Sequence, residues 1–357
     1  MGAPTKGGDR VVYYAPKDVR IERMETPPAL EAGDLLIEVE ACAICGTDIK
    51  SYNKGNPRIK PPMTMGHEFV GKVAAIGGAA FGGAAAAGSP QVGERVVMAT
   101  TIGCGECRYC RAGKSNLCRS AEAIGFHYPG AMAPYVRIPA KAVRLGHLAT
   151  VGDLDAKIAS IAEPLSCVVN GFSRLPLAEI KNVLVLGLGP LGFLHAAVAK
   201  AKGAEKVVCV EFPGARADLA RSLGLGEVLA PADIDGAYQG LTDGEGFDLV
   251  VVTAPHGPTQ AKSPMYARKG GYVSFFASLP QGEETLQVNS RTIHYGELIV
   301  FGTSDSTPAH IREAVGLLKS NAELFSKIVT HELPMKDFHK AMDVIASGTA
   351  VKVVLRP

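Results

Sequence analysis

The stretch "NVLVLGLGPLGFLHAAVAKA" (residues 182–201) decides the fold of the half of the chain around it. It begins with alternating valine and leucine, passes through a glycine-rich turn and continues with apolar residues at helical spacing. The glycines also interrupt the apolar run, so the segment does not resemble a membrane span. A strand, a glycine turn and a helix in this order predict the start of a parallel βαβ unit.

Gly187, Gly189 and Gly192 match the pattern G-x-G-x-x-G of dinucleotide-binding loops. In such a loop the first glycine permits a tight turn, the second lets the backbone approach a pyrophosphate, and the third lets the helix pack on the sheet. Pro190 and Leu191 open the helix, whose first N–H groups can bind phosphate. These five residues are therefore predicted to bind a cofactor, with a glycine turn that holds no ligand as the alternative.

Glu211 ends the next strand, "KVVCVE", 19 residues after Gly192. A carboxylate at this point accepts hydrogen bonds from the ribose 2′-OH of NAD and would repel the 2′-phosphate of NADP. Arg216 follows five residues later, and an arginine can bind that phosphate. The sequence therefore favours NAD, with Arg216 as the residue that keeps NADP open.

The same alternation of strand and helix continues outward from this motif. The segments "GARADLARSLG", "FDLVVVTA" and "GGYVSFFA" follow as a helix and two further apolar strands. Continuous apolar strands alternating with helices indicate a parallel sheet that is covered on both faces. We predict a doubly wound Rossmann domain over residues 161–305, and an α/β fold for the chain.

Residues 11–160 instead alternate short β-rich runs with turn signals, as in "RVVYY", "LLIEVEA" and "HEFVGKVAAIG". A patch of small residues at 77–90 is predicted to be a loop between two strands. The chain ends in one more strand, "AVKVVLRP", which could rejoin this region. We therefore predict a mostly β, discontinuous domain made of residues 1–160 and 306–357.

Four cysteines crowd into "CGECRYCRAGKSNLC" (residues 104–118), namely Cys104, Cys107, Cys110 and Cys118. Four thiolates at this spacing satisfy a tetrahedral zinc ion and leave no open position, which is typical of a structural site. The metal would fold a lobe that has little apolar content of its own. An iron–sulfur cluster is the alternative, but its pattern closes after three intervening residues and a proline, whereas here seven residues and Arg119 follow.

A second group of metal-ligand residues is spread more widely. Cys45 follows a predicted strand in "CAICGTD" (42–48), and His67 and Glu68 begin a later strand. A cysteine and a histidine at adjacent strand ends can ligate one metal, with Glu68 or water completing the coordination, and three protein ligands with one exchangeable position define a catalytic zinc site. Taken singly, the three residues could equally be a buried thiol, a core histidine and a surface charge.

Composition limits the function further. The chain has 357 residues, 47% of them hydrophobic and 20% charged, with a formal net charge of +2, which predicts two domains and gives no reason to expect nucleic acid or a membrane as partner. Eight cysteines without a recognisable signal peptide predict a reducing, cytoplasmic location. Cys42, Cys167 and Cys209 lie in apolar surroundings and are predicted to pack as small hydrophobic residues.

Together the motifs resemble those of the zinc-containing medium-chain alcohol and polyol dehydrogenases. "CGTD" (45–48), "GHE" (66–68), the four-cysteine lobe, "EPLS" (163–166), "GLGPLG" (187–192) and "VKVVL" (351–355) occur in the order of that family and cover essentially the whole chain. The resemblance implies a GroES-like catalytic domain beside the Rossmann domain. It also implies NAD, two zinc ions per chain (one catalytic and one structural) and a homo-oligomer, either dimer or tetramer.

The resemblance also assigns roles around the catalytic zinc. Cys45, His67 and Glu68 would hold the ion together with Glu163, which occupies the place where sorbitol- and threonine-type members have glutamate and classical alcohol dehydrogenases have cysteine. Glu163 would ligate directly or through water. A glutamate that merely precedes Pro164 at a helix start is the alternative interpretation.

Three further residues receive roles in the same way. Thr47 would pass the proton of the substrate, Asp48 would orient His67, and Lys352 would lie near the cofactor phosphates. Lys50 stands where many relatives carry a relay histidine, so the path of the proton beyond Thr47 stays open between lysine and water.

These expectations combine into one function. We predict oxidation of a secondary alcohol on a small polyhydroxylated substrate (a polyol, sugar or cyclitol) to a ketone, with transfer of the hydride to NAD. Threonine-type oxidation of an amino alcohol is the alternative within the class, and an NAD-binding structural or sensor protein without catalysis is the alternative outside it. Candidate pocket residues are Tyr52, Phe126, His127 and Arg291.

Overall fold

A computed structural model describes residues 7–78 and 89–357, so most of the patch at 77–90 lies outside the described residues. The chain divides into two compact units. Unit 1 comprises Met1–Ser166, Asp305–Ser347 and Lys352–Pro357, and unit 2 comprises Cys167–Ser304 and Gly348–Val351. In the described part of the chain, no helix combines the length and the apolar character needed to span a membrane.

Unit 1 is mostly β. Its strands up to residue 160 are β1 (Gly8–Ala15), β2 (Asp18–Met24), β3 (Leu35–Ala43), β4 (Met63–Thr64), β5 (Glu68–Ile76), β6 (Arg95–Met98), β7 (Thr101–Ile102), β8 (Glu122–Ala123), β9 (Tyr135–Ile138) and β10 (Leu148–Thr150). The helices of this stretch are short: α1 (Gly46–Lys54), α2 (Arg108–Arg111), α3 (Ala140–Arg144) and α4 (Ala156–Ala159), with a 3-10 turn at Ser115–Leu117. Helix α5 (Ala162–Phe172) begins in unit 1 and continues into unit 2.

Unit 2 is the doubly wound part of the chain. Its strands are β11 (Asn182–Leu186), β12 (Lys206–Val210), β13 (Glu227–Leu229), β14 (Phe247–Val252), β15 (Ala267–Phe275) and β16 (Ile299–Phe301). Its helices are α6 (Pro190–Ala201), α7 (Ala215–Ser222), α8 (Ile234–Leu241), α9 (Gly257–Lys262) and α10 (Ser290–Gly296), with 3-10 turns at Leu177–Glu179 and Ser263–Tyr266. The strands pair in parallel in the order β13-β12-β11-β14-β15-β16, which confirms the predicted Rossmann fold.

The parallel sheet explains why its strands look continuously apolar in the sequence. All six residues of β14 are buried, as are Leu184 of β11 and Val208 of β12, because helices cover both faces of a sheet of this type. Cys209 lies within this core and Cys42 within unit 1, both fully buried as predicted, whereas Cys167 is only partly buried.

The last segment of unit 1 consists of α11 (Pro308–Ser320), α12 (Ala322–Ile328), β17 (Val329–Pro334), a 3-10 turn at Met335–Asp337, α13 (Phe338–Ala346) and β18 (Lys352–Arg356). Strand β18 pairs in parallel with β17 and antiparallel with β3, with Val354 opposite Ala43 and Leu355 opposite Cys42. The C-terminal strand therefore lies beside the strand that leads to Cys45.

Strand pairing in unit 1 brings the distant motifs together. The large sheet has the order β10-β6-β5-β3-β18-β17, and β9 also pairs with β3. Smaller sheets are formed by β2-β1-β4 and by β7-β8. Because β3 and β5 are antiparallel with Ala43 opposite Glu68, the end of β3 lies next to the start of β5.

Candidate active site

Cys45 lies between the end of β3 and the start of α1, where it caps the helix. Its Sγ accepts a hydrogen bond from the main-chain N–H of Thr47 at 3.4 Å, and its own N–H donates to Asp48 Oδ2 at 2.9 Å. This reciprocal pair of bonds is a capping box, which fixes the first turn of the helix. The sulfur is thereby held at a helix N-terminus, where the unpaired N–H groups favour negative charge.

His67 and Glu68 are positioned by the glycine before them. Gly66 has φ +94°, and a Cβ at this position would lie 2.6 Å from Met132 Cγ and 2.7 Å from Cys42 Sγ. Both the backbone conformation and the lack of space therefore require glycine. The turn delivers His67 and Glu68 as buried residues at the start of β5.

Cys45, His67 and Glu68 form a compact set of ligand atoms. The sulfur, an imidazole nitrogen and a carboxylate oxygen all lie within 4.8 Å of one another. Atoms at these separations can share one ion at the usual zinc distances of about 2.0–2.3 Å. A donor set of sulfur, nitrogen and oxygen also suits zinc, so the residues present fit the predicted ion.

The imidazole of His67 is surrounded by groups that favour a positive charge on it. Burial lowers the pKa of His67, but Cys45 and Asp48 more than offset that effect and raise the pKa well above its usual value. Asp48 Oδ1 lies 3.9 Å from His67 Nδ1, which is within reach of a charge but longer than a hydrogen bond, so the orienting role of Asp48 stays a prediction. A metal ion would supply the charge that these groups favour.

Glu163 lies in the first turn of α5 and is buried beside this set. Burial raises the pKa of Glu163 to about 7, and the charge of Glu68 raises it as well, while His67 lowers it. Its Oε1 accepts a hydrogen bond from Thr100 Oγ1 at 3.4 Å, a contact that the sequence did not predict. The compact ligand set does not include Glu163, so its ligation, direct or through water, stays a prediction.

Lys352 pairs with the carboxylate of Glu68. The lysine is only 3% exposed, its Nζ forms an ion pair with Glu68 Oε2, and it donates a hydrogen bond to the carbonyl of Ile44 at 3.0 Å. Burial lowers the pKa of Lys352, but Glu68 and Cys45 raise it, with a net increase. The family resemblance implies a position near the cofactor phosphates for this lysine. That role stays a prediction, and the structure adds a contact that balances the charge of a predicted zinc ligand.

The four cysteines of the lobe form a second set of ligands. The Sγ–Sγ distances are 3.9 Å for Cys104–Cys110, 3.6 Å for Cys107–Cys110 and 3.8 Å for Cys107–Cys118. Sulfur atoms bound at 2.3 Å to a tetrahedral ion lie about 3.8 Å apart. The geometry therefore fits a closed zinc site.

The backbone of this lobe also favours thiolates. The N–H of Cys104 donates to Cys118 Sγ and that of Cys107 to Cys104 Sγ, both at 3.3 Å. N–H groups of Glu106 and Cys107 lower the pKa of Cys104. Gly103 permits the close approach of the chain, since a Cβ there would lie 2.6 Å from Cys110 Sγ. The sulfur cluster occupies the place that a hydrophobic core would fill elsewhere.

In the glycine loop of unit 2, two of the three glycines are required by the fold and the third is not. Gly187 has φ +103°, and a Cβ on Gly192 would lie 2.0 Å from the carbonyl oxygen of Gly187. A Cβ on Gly189, by contrast, would meet nothing within 4 Å. Gly189 is the N-cap of α6, whose first residues are Pro190 and Leu191. The free space at this helix N-terminus fits the close approach of a pyrophosphate.

Glu211 points its carboxylate at the same loop. Its Oε2 accepts a hydrogen bond from the N–H of Leu188 at 2.6 Å, and its Oε1 one from the N–H of Phe212 at 2.9 Å. Arg216 Nε donates to the carbonyl of Ala350 at 3.1 Å. The carboxylate is thus held beside the glycine loop, and part of the Arg216 guanidinium is engaged by the main chain.

Of the four candidate pocket residues, Phe126 contacts a predicted zinc ligand. Its ring centroid lies 5.3 Å from that of His67, and the guanidinium of Arg58 lies over it with 4.5 Å between Cζ and the ring centroid. Contacts of the other three lie elsewhere: Tyr52 packs on Phe338, His127 accepts a hydrogen bond from Ala123, and Arg291 lies over Tyr295. The contact of Arg58 with Phe126 could not be predicted from the sequence, because a single arginine in a loop carries no signal.

A mostly β unit with two zinc-type ligand sets, together with a doubly wound unit carrying a dinucleotide loop, defines a zinc- and NAD(P)-dependent dehydrogenase. Two family profiles match the chain: the Alcohol dehydrogenase GroES-like domain over residues 31–146 and the Zinc-binding dehydrogenase over residues 190–320. The chain therefore belongs to the zinc-containing medium-chain alcohol/polyol dehydrogenase family, as the resemblance implied.

Curated relatives share this family over nearly their full length. L-threonine 3-dehydrogenase of Bacillus subtilis (strain 168) is 33% identical over 92% of this chain and 93% of its own. Erythritol/L-threitol dehydrogenase of Mycolicibacterium smegmatis is 32% identical over 97% of each chain. The predictions of an enzyme, and of an alcohol or polyol dehydrogenase in particular, are confirmed at this level.

Solved structures confirm the fold. An alcohol dehydrogenase from Thermotoga maritima superposes with a TM-score of 0.88 over 99% of this chain and 100% of its own, at 23% identity. A zinc-binding dehydrogenase from Sinorhizobium meliloti 1021, solved with NADP, gives a TM-score of 0.86 at 28% identity over 98% of this chain and 99% of its own. The family and the residues present support zinc and NAD(P) as the cofactors.

Proposed function

We propose that this dehydrogenase oxidises a secondary alcohol of a small polyhydroxylated molecule to a ketone, with NAD as the preferred hydride acceptor. The observation that carries the proposal is the compact set formed by Cys45, His67 and Glu68, whose ligand atoms lie within 4.8 Å of one another. The erythritol/L-threitol dehydrogenase among the relatives supports a polyol as the substrate class. The carboxylate of Glu211 beside the glycine loop supports NAD over NADP.

In this proposal the chain's own residues hold the reactants and move one proton. Cys45, His67 and Glu68 would hold the zinc ion, together with Glu163, directly or through water. Thr47 Oγ1, in the first turn of α1, accepts the proton of the substrate hydroxyl and passes it on by way of Lys50 or water. When bound, zinc supplies the Lewis acidity that lowers the pKa of the alcohol, and nicotinamide supplies the hydride acceptor.

Cofactor binding in this proposal depends on unit 2. The N–H groups at the start of α6 would bind the pyrophosphate, and the free space at Gly189 would leave room for it. Glu211 accepts hydrogen bonds from the ribose hydroxyls. Arg216 donates to a main-chain carbonyl through Nε, which reduces its availability for a 2′-phosphate.

Assembly and location remain part of the proposal. We infer a homo-oligomer, dimer or tetramer, in the cytoplasm, without nucleic acid or membrane as a partner. The family resemblance and the near balance of charge support this inference, as do the eight cysteines, all of which are free thiols. Light scattering on the purified protein distinguishes monomer, dimer and tetramer.

L-threonine is the second candidate substrate. Several relatives, among them the one from Bacillus subtilis, are named L-threonine 3-dehydrogenase, and Glu163 is shared with threonine-type members of the family. A non-catalytic NAD-binding protein is less well supported, because such proteins tend to lose the zinc ligands, whereas Cys45 and His67 are both present.

A substrate panel tests the proposal. Erythritol, sorbitol, an inositol and L-threonine are compared by the appearance of NADH absorbance, with NAD and NADP in parallel. We expect NAD-dependent turnover of at least one polyol, its loss on dialysis against a chelator, its return with Zn²⁺, and NADH binding throughout. Turnover that survives complete removal of the metal would contradict the mechanism. Faster turnover of L-threonine than of every polyol would show that the substrate is an amino alcohol and not a polyol.

A further inference from the structure

The guanidinium of Arg58 contacts Phe126, and Phe126 in turn contacts His67 of the zinc-type ligand set. Arg58 is exposed in the loop after α1, and its Cζ lies 4.5 Å from the centroid of the Phe126 ring. Phe126 is buried, and its ring lies 5.3 Å from the imidazole of His67, centroid to centroid. A cation–π contact and a ring–ring contact therefore hold the guanidinium near the predicted zinc site.

Among the residues that the structure describes, no carboxylate pairs with the guanidinium of Arg58, whose charge contacts the Phe126 ring. Several other arginines pair with carboxylates, among them Arg10, Arg20, Arg95, Arg137 and Arg356. In the described ranges 7–78 and 89–357, the guanidinium of Arg58 forms no ion pair and donates no hydrogen bond, and only the main-chain N–H of the residue is engaged, by Asn56 Oδ1 at 3.1 Å. Its donors are available to a ligand.

The segment around Arg58 is positively charged as a whole. Between residues 46 and 60 the chain carries Lys50, Lys54, Arg58 and Lys60, and Asp48 is the acidic residue of that segment. Asp48 is buried with its Oδ2 on the N–H of Cys45, whereas all four basic residues are exposed. An excess of exposed positive charge attracts anions and raises their local concentration.

We propose that Arg58 binds an anionic group of the substrate, a carboxylate or a phosphate, while a secondary hydroxyl of the same molecule reacts at the Cys45–His67–Glu68 site. A guanidinium presents paired N–H donors that match the oxygens of either group. The inference rests on the proposed function and narrows its substrate class. With this contact the substrate class narrows to a polyhydroxylated acid or a phosphate ester, in which one molecule carries both the anionic group and the reacting hydroxyl.

The test uses matched pairs of ligands on the zinc-loaded full chain with NADH bound. Erythritol, threitol and sorbitol are each compared with the corresponding aldonate and phosphate monoester, and binding is measured by calorimetry. We expect an anionic member to bind more tightly than its neutral polyol in at least one pair. Arg58→Gln should weaken that binding by about tenfold or more, the effect of one charge-assisted hydrogen bond, and leave the neutral polyol unchanged. Whether aldonate or phosphate binds more tightly identifies the anionic group.

Two further variants separate a specific contact from general attraction. Arg58→Lys keeps the charge without the paired donors and should recover part of the affinity. Lys60→Gln removes the same charge from another exposed residue of the segment. It should change binding of the anion by less than about twofold, because a charge that does not contact the ligand acts on it only through solvent, where salt screens it. Thermal unfolding confirms that each variant is folded, as expected for exposed positions.

The outcomes also separate this inference from the proposed function. The assignment to Arg58 is wrong if no anionic ligand binds more tightly than its polyol. It is equally wrong if Arg58→Gln weakens both members of a pair alike, or if Lys60→Gln has the same effect as Arg58→Gln. Neutral polyols that are oxidised in any of these cases leave the proposed function intact. Anion binding through Arg58 without zinc-dependent turnover of any alcohol would support the assignment and contradict the proposed function.

Discussion

The two predicted sets of metal ligands are built in opposite ways. The four cysteines come from one segment, residues 104–118, and present four sulfur atoms at nearly equal distances. Cys45, His67 and Glu68 come from the end of β3 and the start of β5, with Glu163 on α5 and Lys352 on β18 close to them. The first set depends on local spacing and the second on strand pairing.

This difference corresponds to the difference between a structural and a catalytic zinc site. Four equivalent thiolates close the coordination of the ion, so such a site can only stabilise its surroundings. The mixed set brings three different donors together. Its carboxylate, Glu68, and the neighbouring Glu163 are buried, so their negative charges must be balanced by Lys352 and by the ion itself. The two sets should therefore respond differently to the same change of cysteine to serine.

The largest effect is expected from Cys107→Ser. Loss of one of four ligands should release the zinc of the lobe, because metal binding supplies about 10 kcal/mol or more to the folding of small zinc domains. We expect the zinc content to fall from two ions per chain to one, and limited proteolysis to cut within residues 104–118. Two zinc ions retained per chain would contradict the closed four-cysteine site. Visible absorption typical of an iron–sulfur cluster in the wild-type protein would show that the lobe binds such a cluster instead of zinc.

Cys45→Ser should give the converse result. The catalytic ion should be lost and turnover should fall by about a thousandfold or more, the scale on which Lewis-acid catalysis contributes. The lobe should keep its zinc and its resistance to proteolysis. Cys167→Ser, a cysteine outside both sets, is the matched control for the substitution itself. Equal loss of both ions in Cys45→Ser and Cys107→Ser would show that the two sites are not independent.

Short-range patterns explain what the sequence could predict. The spacing of the four cysteines and of Gly187, Gly189 and Gly192 lies within single segments, so the local chain carries the whole signal. The parallel sheet was predictable from continuous apolar strands because burial on both faces leaves no polar alternation. For Cys45 and His67 the residues alone left other interpretations open, and the family resemblance was needed to choose between them.

Long-range contacts could not be predicted because one sequence gives no strand register. Thr100 and Glu163 are 63 residues apart, and Lys352 donates to Ile44 across 308 residues. The pairing of β18 with β3 decides that Lys352 reaches Glu68, and nothing near Lys352 in the sequence indicates it. Arg58 becomes notable only through its contact with Phe126.

A smaller effect is expected from Lys352→Met, which removes the positive charge paired with Glu68. Removing one partner of a buried ion pair leaves Glu68 as an uncompensated carboxylate and should lower the free energy of unfolding of zinc-depleted protein by about 3–5 kcal/mol. With zinc bound, the loss should be clearly smaller because the ion also balances that charge. Urea unfolding with and without Zn²⁺ measures both values. Lys352→Arg is the control that keeps the charge, and a loss independent of zinc would mean that Glu68 does not face the ion.

The smallest effect is expected from Thr100→Val, because Thr100 acts on the site only through Glu163. The hydroxyl donates a 3.4 Å hydrogen bond to Glu163 Oε1, near the long end of the range, and its removal from a buried carboxylate should cost about 1–2 kcal/mol. We therefore expect kcat/KM to fall by about tenfold, together with a weaker affinity for the catalytic zinc, and Thr100→Ser to restore both. The zinc of the lobe should be unaffected, since its four ligands lie in a separate segment. A variant with full zinc affinity and reduced stability alone would show that Thr100 supports the packing of β6 and β7 rather than the position of Glu163.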